Sequence, residues 1–211
     1  MGGVALLAVI AALVLGGGGK ATGRSSAPRV YASQYPPGEG DPPSAWVVGF
    51  VGDPVIDDLL LEMEELFLSA GVPAVGWTAE EITRMPKAPG QPVAIPPRGM
   101  WPNMIPTLML YAELREEMDV PLALRGYRDP SYNEAVGGEP GSLHQWFAAL
   151  DVYPTSGEDR DLLGWEAAEL FVGSDEKVGL GIYGVPPGNI HIDTGWRSRI
   201  WEDSEVYLDA L

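Results

Sequence analysis

Residues 142–151 read Ser-Leu-His-Gln-Trp-Phe-Ala-Ala-Leu-Asp, and residues 189–195 read Asn-Ile-His-Ile-Asp-Thr-Gly. These stretches contain His144 and His191, the only 2 histidines among 211 residues. Histidine is the commonest metal ligand in proteins and a frequent catalytic acid or base. Two histidines and one aspartate leave one position of a tetrahedral zinc ion open, as in catalytic sites. The two stretches therefore indicate a metal site.

The charge and composition of the chain argue against several other classes of site. A formal charge of −17 leaves no cationic stripe to neutralise nucleic acid phosphates, and it disfavours adhesion to an anionic membrane surface. We therefore expect no nucleic-acid partner, and membrane contact only through the N-terminal segment. The absence of cysteine from the sequence excludes disulfides, zinc-finger cysteines and a thiol nucleophile.

The first 45 residues differ in composition from the rest of the chain. Residues 4–15, VALLAVIAALVL, form an apolar run that is short for a membrane span but suits the core of an export signal. Residues 1–19 are therefore predicted to be a signal peptide or N-terminal anchor, which implies export to the periplasm or cell envelope. Residues 20–45 have the Gly, Ser and Pro content of a linker. Residues 46–211 are predicted to form one folded, monomeric domain.

The pattern of apolar residues in the folded part predicts a mixture of helices and strands. Helices are expected from Asp53-Pro54 to the stop at Gly71, after the capping box Thr78-x-x-Glu81, and over Trp101–Met118 and 158–171. Strands are expected over 46–52, 120–124, 147–153, 178–183 and 190–194, and residues 85–99 are Pro-rich and expected to be irregular. Because helices and strands do not alternate regularly, the predicted class is α+β.

Residues 179–184, Gly-Leu-Gly-Ile-Tyr-Gly, match the dinucleotide-binding pattern of glycines. That interpretation requires a helix directly after the glycines, and Pro186-Pro187 excludes one there. We expect these glycines to let a strand pass close to another group instead.

A longer constellation resembles a known family. Residues 125–138, Arg-Gly-Tyr-Arg-Asp-Pro-Ser-Tyr-Asn-Glu-Ala-Val-Gly-Gly, precede Ser142-x-His144 and Asp151. This order resembles the zinc D-Ala-D-Ala carboxypeptidases and murein endopeptidases of the lysostaphin-type and Hedgehog-like superfamily, whose pattern is Ser-x-His-x-x-Gly-x-Ala-x-Asp with a later His near a Trp. The resemblance covers about residues 78–201 and ends on the His191 motif and Trp201. It implies a small antiparallel sheet that carries a zinc site and is flanked by helices.

The resemblance also implies roles for individual residues. His144, Asp151 and His191 correspond to the zinc ligands, and Zn²⁺ is the implied cofactor. Arg128 corresponds to the arginine that orients a substrate carboxylate or carbonyl, so it is assigned both a catalytic and a substrate-binding role. Ser142 corresponds to a hydrogen-bonding group beside the site and is assigned to substrate binding.

Two departures from the family pattern affect the predicted site. Phe147 occupies the position of the family glycine, which predicts a bulkier strand entering the site. Gly188 occupies the position where many members have an acidic general base. Asp193 is the substitute base by position, although it can equally be a partner that orients His191. Glu134 and Glu139 are further candidates for the base.

The leading functional prediction is an exported zinc metallopeptidase that hydrolyses peptide bonds in peptidoglycan stem peptides or cross-links, in wall remodelling or phage lysis. Trp146, Trp196 and Trp201 are candidates for walls of its cleft. The alternative is a non-catalytic, zinc-bearing wall-binding or virion structural module, which the glycine at position 188 supports. A cytosolic dipeptidase that keeps residues 1–30 is a third possibility. The bond that is cut stays open among D-Ala-D-Ala, a meso-diaminopimelate link and L-Ala-D-Glu.

Overall fold

A computed structural model of the chain describes residues 33–118, 120–157, 159–174, 177–195 and 198–211. The predicted signal or anchor over 1–19, the linker residues 20–32 and Trp196 lie outside the described residues. Within the described ranges, no helix combines the length and the apolar character needed to cross a membrane.

The described residues form six α-helices and seven strands. The helices are α1 Pro54–Ser69, α2 Ala79–Thr83, α3 Met104–Met118, α4 Pro130–Ala135, α5 Arg160–Gly173 and α6 Ser204–Leu208. The strands are β1 Val47–Gly49, β2 Val93–Ile95, β3 Leu122–Arg125, β4 Ala149–Pro154, β5 Val178–Tyr183, β6 Asn189–Thr194 and β7 Arg199–Glu202. Two short 3-10 helices cover Arg98–Asn103 and Leu143–Trp146. The predicted α+β class is confirmed.

The strands form two sheets. β1 and β2 make a small antiparallel pair, and the main sheet has the order β3-β4-β6-β5-β7. Its first four strands are antiparallel, as expected, but β7 runs parallel to β5. The expectation of a purely antiparallel sheet is therefore corrected to a mixed one. Both edges of β6 are paired, with β4 and β5, and β7 joins the sheet at the outer edge of β5.

The two faces of the main sheet have different environments. One face packs against α3 and α5 and carries buried apolar residues from the four antiparallel strands: Leu124, Leu150, Val152, Leu180, Ile182, Ile190 and Ile192. Because side chains alternate between faces along a strand, the residues between them point to the opposite face. That opposite face carries Asp151, His191 and Asp193, so the apolar layer supports the candidate site from behind.

The helix starts follow the signals in the sequence. The Asp53 carboxylate accepts a hydrogen bond of 2.8 Å from the Val55 amide, and Pro54 is the first residue of α1. Thr78 accepts one of 3.1 Å from the Glu81 amide at the start of α2, as its capping pattern predicts.

Other elements differ from the prediction. Residues 85–99 contain β2, a strand of only three residues between prolines. The helix predicted from Trp101 is preceded by a 3-10 segment that contains Pro102, and α3 starts at Met104. The strand predicted from Phe147 starts at Ala149. Helices α4 and α6 and strand β7 were not predicted.

Part of the predicted linker lies along the folded domain. The Gln34 amide donates to the Gly99 carbonyl at 2.9 Å, and the Asn103 side chain donates to the Tyr35 carbonyl at 2.9 Å. The Tyr127 hydroxyl donates to the Pro43 carbonyl at 3.1 Å. Residues 33–45 contain no helix or strand, but these bonds attach them to the domain.

Candidate metal centre

His144, Asp151 and His191 place three donor atoms at the corners of a triangle. His144 Nε2 lies 3.1 Å from Asp151 Oδ1 and 3.1 Å from His191 Nδ1, and His191 Nδ1 lies 3.1 Å from Asp151 Oδ1. All three residues are buried. The structure therefore brings together the three residues that the sequence motifs single out, as a group that could hold a metal ion.

The fold explains why these side chains meet. Asp151 on β4 and His191 on β6 are direct partners across two antiparallel strands, so their side chains project from the same face of the sheet. His144 belongs to the 3-10 helix that precedes β4. The chain reverses after this helix because Phe147 adopts a left-handed conformation with φ of 53°. The reversal turns His144 over the sheet, toward the Asp151–His191 pair.

In each imidazole, the hydrogen-bond partner of the nitrogen that points away from the triangle determines which nitrogen carries the proton. His144 Nδ1 is 2.5 Å from the Gly126 carbonyl oxygen, which can only accept a hydrogen bond. His191 Nε2 is 3.1 Å from Asp193 Oδ2, and a carboxylate likewise accepts. These partners assign the protons to His144 Nδ1 and His191 Nε2. In the neutral rings, both nitrogens at the triangle then carry lone pairs, directed toward a carboxylate oxygen.

Burial and charge act on the pKa values of these groups in different directions. Burial is the largest influence on His144 and lowers its pKa, although Asp151 acts in the opposite direction. Burial also disfavours the charged form of His191, but hydrogen bonds to Asp151 and Asp193 outweigh it and raise the pKa. For Asp151, burial would raise the pKa, and the two neighbouring histidines outweigh it and hold the pKa well below its usual value. The group thus keeps an anionic oxygen that attracts a cation.

The residues present fit a zinc ion. Zinc bound tetrahedrally at about 2.0–2.1 Å separates its ligand atoms by roughly 3.3 Å, close to the triangle of 3.1 Å edges. Both imidazoles also donate their other proton to an oxygen, as zinc-ligating histidines almost always do. Three converging acceptors at this distance repel one another unless a proton or a metal cation lies between them, so a metal ion can occupy this donor set.

Arg128 lies against the ligand triangle. Its guanidinium pairs with Asp151 Oδ2, while the other oxygen of this carboxylate forms part of the triangle. The Arg128 amide also donates to the His144 carbonyl at 3.1 Å. The arginine predicted to orient substrate is therefore adjacent to the candidate metal ligands, with its side chain 25% exposed.

Asp193 is completely buried on the far side of His191. Its Oδ2 accepts from His191 Nε2 at 3.1 Å and from the Arg199 guanidinium at 2.9 Å. Burial is the largest influence on this carboxyl and would raise its pKa, but the hydrogen bond and charge of His191, with Arg199, outweigh burial and hold the pKa below its usual value. Because Asp193 contacts the nitrogen of His191 that points away from the triangle, this geometry favours the orienting role over that of general base.

Two glycines of β5 make this arrangement possible. Gly179 lies opposite Asp193, and a Cβ atom at that position would overlap the Asp193 carboxylate. Gly181 lies between His191 and Trp201 in the strand register, and a Cβ there would overlap the Trp201 indole. The expectation that these glycines permit a close approach is confirmed. Arg199 reaches Asp193, and Trp201 reaches His191, across strand β5.

Trp201 and Tyr183 continue the site toward solvent. The Trp201 indole packs edge-on against the His191 imidazole, with the ring centres 5.1 Å apart. Its Nε1 donates to the Tyr183 hydroxyl at 2.9 Å. Trp201 was a candidate for a cleft wall and lies at the site. Tyr183, Arg199 and the Gly126 carbonyl were missed, because their roles depend on strand register and on a main-chain atom.

The other predicted residues occupy more distant places. Ser142 precedes the 3-10 helix of His144, and its hydroxyl makes no capping bond there. Within the described ranges, no hydrogen bond or ion pair joins Ser142, Glu134 or Glu139 to the ligand triangle. Trp146 is buried in a small apolar cluster with Leu143, Ala148 and Ala149.

The prediction that Phe147 makes the strand into the site bulkier was wrong. Phe147 lies outside β4, at a left-handed position where glycine is favoured, and its ring points into the core. There it packs edge-on against Tyr127, with the ring centres 5.8 Å apart. The burial of this ring offsets the strain of the left-handed backbone.

Comparison with known proteins adds no assignment to this geometry. No protein-family model matches the sequence, and no curated protein matches it significantly.

Proposed function

We propose that this chain is an exported zinc metallopeptidase that hydrolyses peptide bonds in peptidoglycan stem peptides or cross-links. The observation that carries the proposal is the convergence of two imidazole lone pairs and one carboxylate oxygen, each pair of atoms 3.1 Å apart. Three protein ligands leave a fourth zinc position for water or substrate, which is the catalytic pattern. The motif order of residues 125–201 supports the peptidoglycan substrate.

His144, Asp151 and His191 would hold the zinc ion, which would supply a Lewis acid able to polarise a peptide carbonyl and to lower the pKa of water. The protein supplies orientation around it. The Gly126 carbonyl and Asp193 fix the two imidazole rings and their protons, and Arg128 holds the second oxygen of Asp151. The guanidinium of Arg128 also has further donors for a substrate carbonyl or carboxylate.

Trp201 and Tyr183 limit the access of water to one side of the site. The indole covers His191, and its Nε1 proton occupies a lone pair of the Tyr183 oxygen. The hydroxyl proton of Tyr183 then remains able to donate to a substrate oxygen. Tyr183 is 37% exposed, so a ligand can reach it.

The proposal predicts zinc-dependent release of peptide fragments from purified peptidoglycan by the full chain, measured by mass spectrometry. His144→Ala should abolish release, because it removes a ligand, while Asp209→Ala, an exposed acidic residue, serves as the control. The fragment masses identify the bond. Zinc binding without fragments from several wall types would refute the peptidase.

A specific observation favours a second candidate, a non-catalytic zinc-bearing module for wall binding or virion structure. Among the described residues, the carboxylates that contact the metal-ligating histidines belong to Asp151 and Asp193, and residue 188 is glycine. No separate carboxylate in this part of the chain is in place as a general base. Retention of peptidoglycan on the zinc-loaded protein, with no hydrolysis, would support this candidate.

A further inference from the structure

A pocket adjoins the candidate metal centre, because Gly126 and Arg128 line the pocket and also contact the ligand triangle. It is a pocket of about 90 Å³ between the segment after α2, the end of β3 and helix α4. Its lining includes four cationic residues, Arg84, Lys87, Arg125 and Arg128, and the tyrosines Tyr132 and Tyr153. No carboxylate side chain lines this pocket among the described residues.

The charge of this pocket is opposite to that of the whole chain. The chain has 13 Lys and Arg against 30 Asp and Glu, yet four of the cations line this one pocket. Arg84 and Arg128 have carboxylate partners, Glu80 and Asp151. Within the described ranges, no carboxylate lies within ion-pair distance of Lys87 or Arg125. Their charges are therefore available to an anionic ligand.

The Arg125 side chain and the backbone of the Lys87 loop are held in place before any ligand arrives. The Arg125 guanidinium stacks over the Tyr153 ring at 4.3 Å and donates to its hydroxyl at 3.2 Å. The Lys87 amide donates to the Tyr132 hydroxyl at 3.0 Å, which ties its loop to α4. Side chains and loops that are already ordered lose less conformational entropy on binding. The pocket is thus preorganised for an anion.

The pocket is close enough to the ligand triangle to contact the same substrate. Gly126, which lines it, supplies the carbonyl that binds His144, and Arg128 lines it while it pairs with Asp151. Arg125 is the register partner of Asp151, and such partners lie about 5 Å apart between Cα atoms. An extended peptide advances about 3.3 Å per residue, so the pocket lies one or two residues from the triangle.

We infer that this pocket is a subsite for a carboxylate of the peptide substrate, separate from the bond that is cut. The inference rests on the proposed function and narrows the substrate to peptides with a free carboxylate one or two residues from that bond. A guanidinium and an ammonium match a carboxylate. The pocket is large enough to hold several water molecules and therefore has room for a carboxylate. The carboxylate is either the C-terminus of the stem peptide or one on a D-Glu or diaminopimelate residue.

Binding of uncleavable peptides tests the subsite without relying on catalysis. The probe is a stem pentapeptide, L-Ala-D-Glu-diaminopimelate-D-Ala-D-Ala, with a reduced bond at each candidate cleavage position in turn. Each analogue is made with all carboxylates free, with an amidated C-terminus, and with amidated D-Glu or diaminopimelate. Calorimetry on the zinc-loaded full chain should show that one amidation weakens binding about 10-fold, because it removes a charge-assisted hydrogen bond. The position of that amidation identifies the source of the carboxylate.

Variants then assign the effect to this pocket. Arg125→Met and Lys87→Met should reduce the ratio of the affinities for the free and the amidated peptide toward one. Lys177→Met, at an exposed lysine that does not line the pocket, should leave this ratio unchanged. Retained zinc binding shows that the variants fold. The subsite is refuted if amidation changes nothing, or if Arg125→Met and Lys87→Met keep the full preference. Peptidoglycan cleavage without a carboxylate preference would refute the subsite alone, and a preference without cleavage would refute the peptidase alone.

Discussion

Replacement of Asp193 distinguishes the two roles that its position allows. Asp193→Ala removes the acceptor that His191 Nε2 contacts at 3.1 Å. Asp193 is fully buried, so water does not readily replace it. Loss of such a partner of a metal-ligating histidine costs typically 10- to 100-fold in metal affinity, or about 1.4–2.8 kcal/mol. A separate estimate comes from the buried His191 N–H, which loses its acceptor at a cost of about 1–3 kcal/mol. If Asp193 orients His191, its replacement by alanine should therefore weaken zinc binding by about 10- to 100-fold.

The assay is competition for zinc against a chromophoric chelator, at constant pH, with peptidoglycan hydrolysis measured on samples saturated with zinc. Asp193→Asn keeps the volume and one acceptor oxygen, so its loss of affinity should be smaller than that of Asp193→Ala. Asp209→Ala, at an exposed position, should keep the wild-type affinity. Unchanged zinc affinity in Asp193→Ala, together with hydrolysis lowered about 100-fold or more, would refute the orienting role and assign the general base to Asp193.

Three further predictions follow from the site and its supports. Zinc at about 1,000 times its Kd should add about 4 kcal/mol to the free energy of unfolding and raise the Tm by roughly 8–16 °C, and a chelator should reverse both effects. An unchanged Tm would contradict a native metal site. Gly181→Ala should displace Trp201 and destabilise the fold by about 1–3 kcal/mol in urea unfolding, while Gly157→Ala, with nothing within 4 Å, should change little. Phe147→Gly should be less destabilising than Phe147→Ala by about 1 kcal/mol, since glycine relieves the left-handed backbone; the reverse order would contradict that strain.

That His144, Asp151 and His191 come together was predictable from the sequence, because both histidines lie in acid-containing motifs whose order resembles that of a known family. The residues that contact the candidate ligands from behind were not predictable. That Asp193 contacts His191 from behind, and that Arg199 reaches it, depends on the β5–β6 register and on a parallel edge strand. The glycines of β5 did indicate close approach, but the sequence does not state which groups approach.

Local rules also failed where tertiary packing opposed them. The sequence pattern predicts that Phe147 is the first residue of a β-strand, since aromatic residues favour strands. The core accepts its ring against Tyr127, and this contact holds the backbone in a conformation that sequence reasoning assigns to glycine. Similarly, β2 has only three residues, too few for alternation to be recognised among prolines.

The separation of the ligands along the chain determines when the site can exist during folding. His144 and His191 are 47 residues apart, and Asp151 and His191 are 40 apart. These atoms come within 3.1 Å of one another only after β4 and β6 have paired at the centre of the sheet. If that pairing follows the rate-limiting step, a metal ion bound there would slow unfolding and leave the folding rate nearly unchanged. Loss of metal would then shorten the lifetime of the native state rather than prevent its formation.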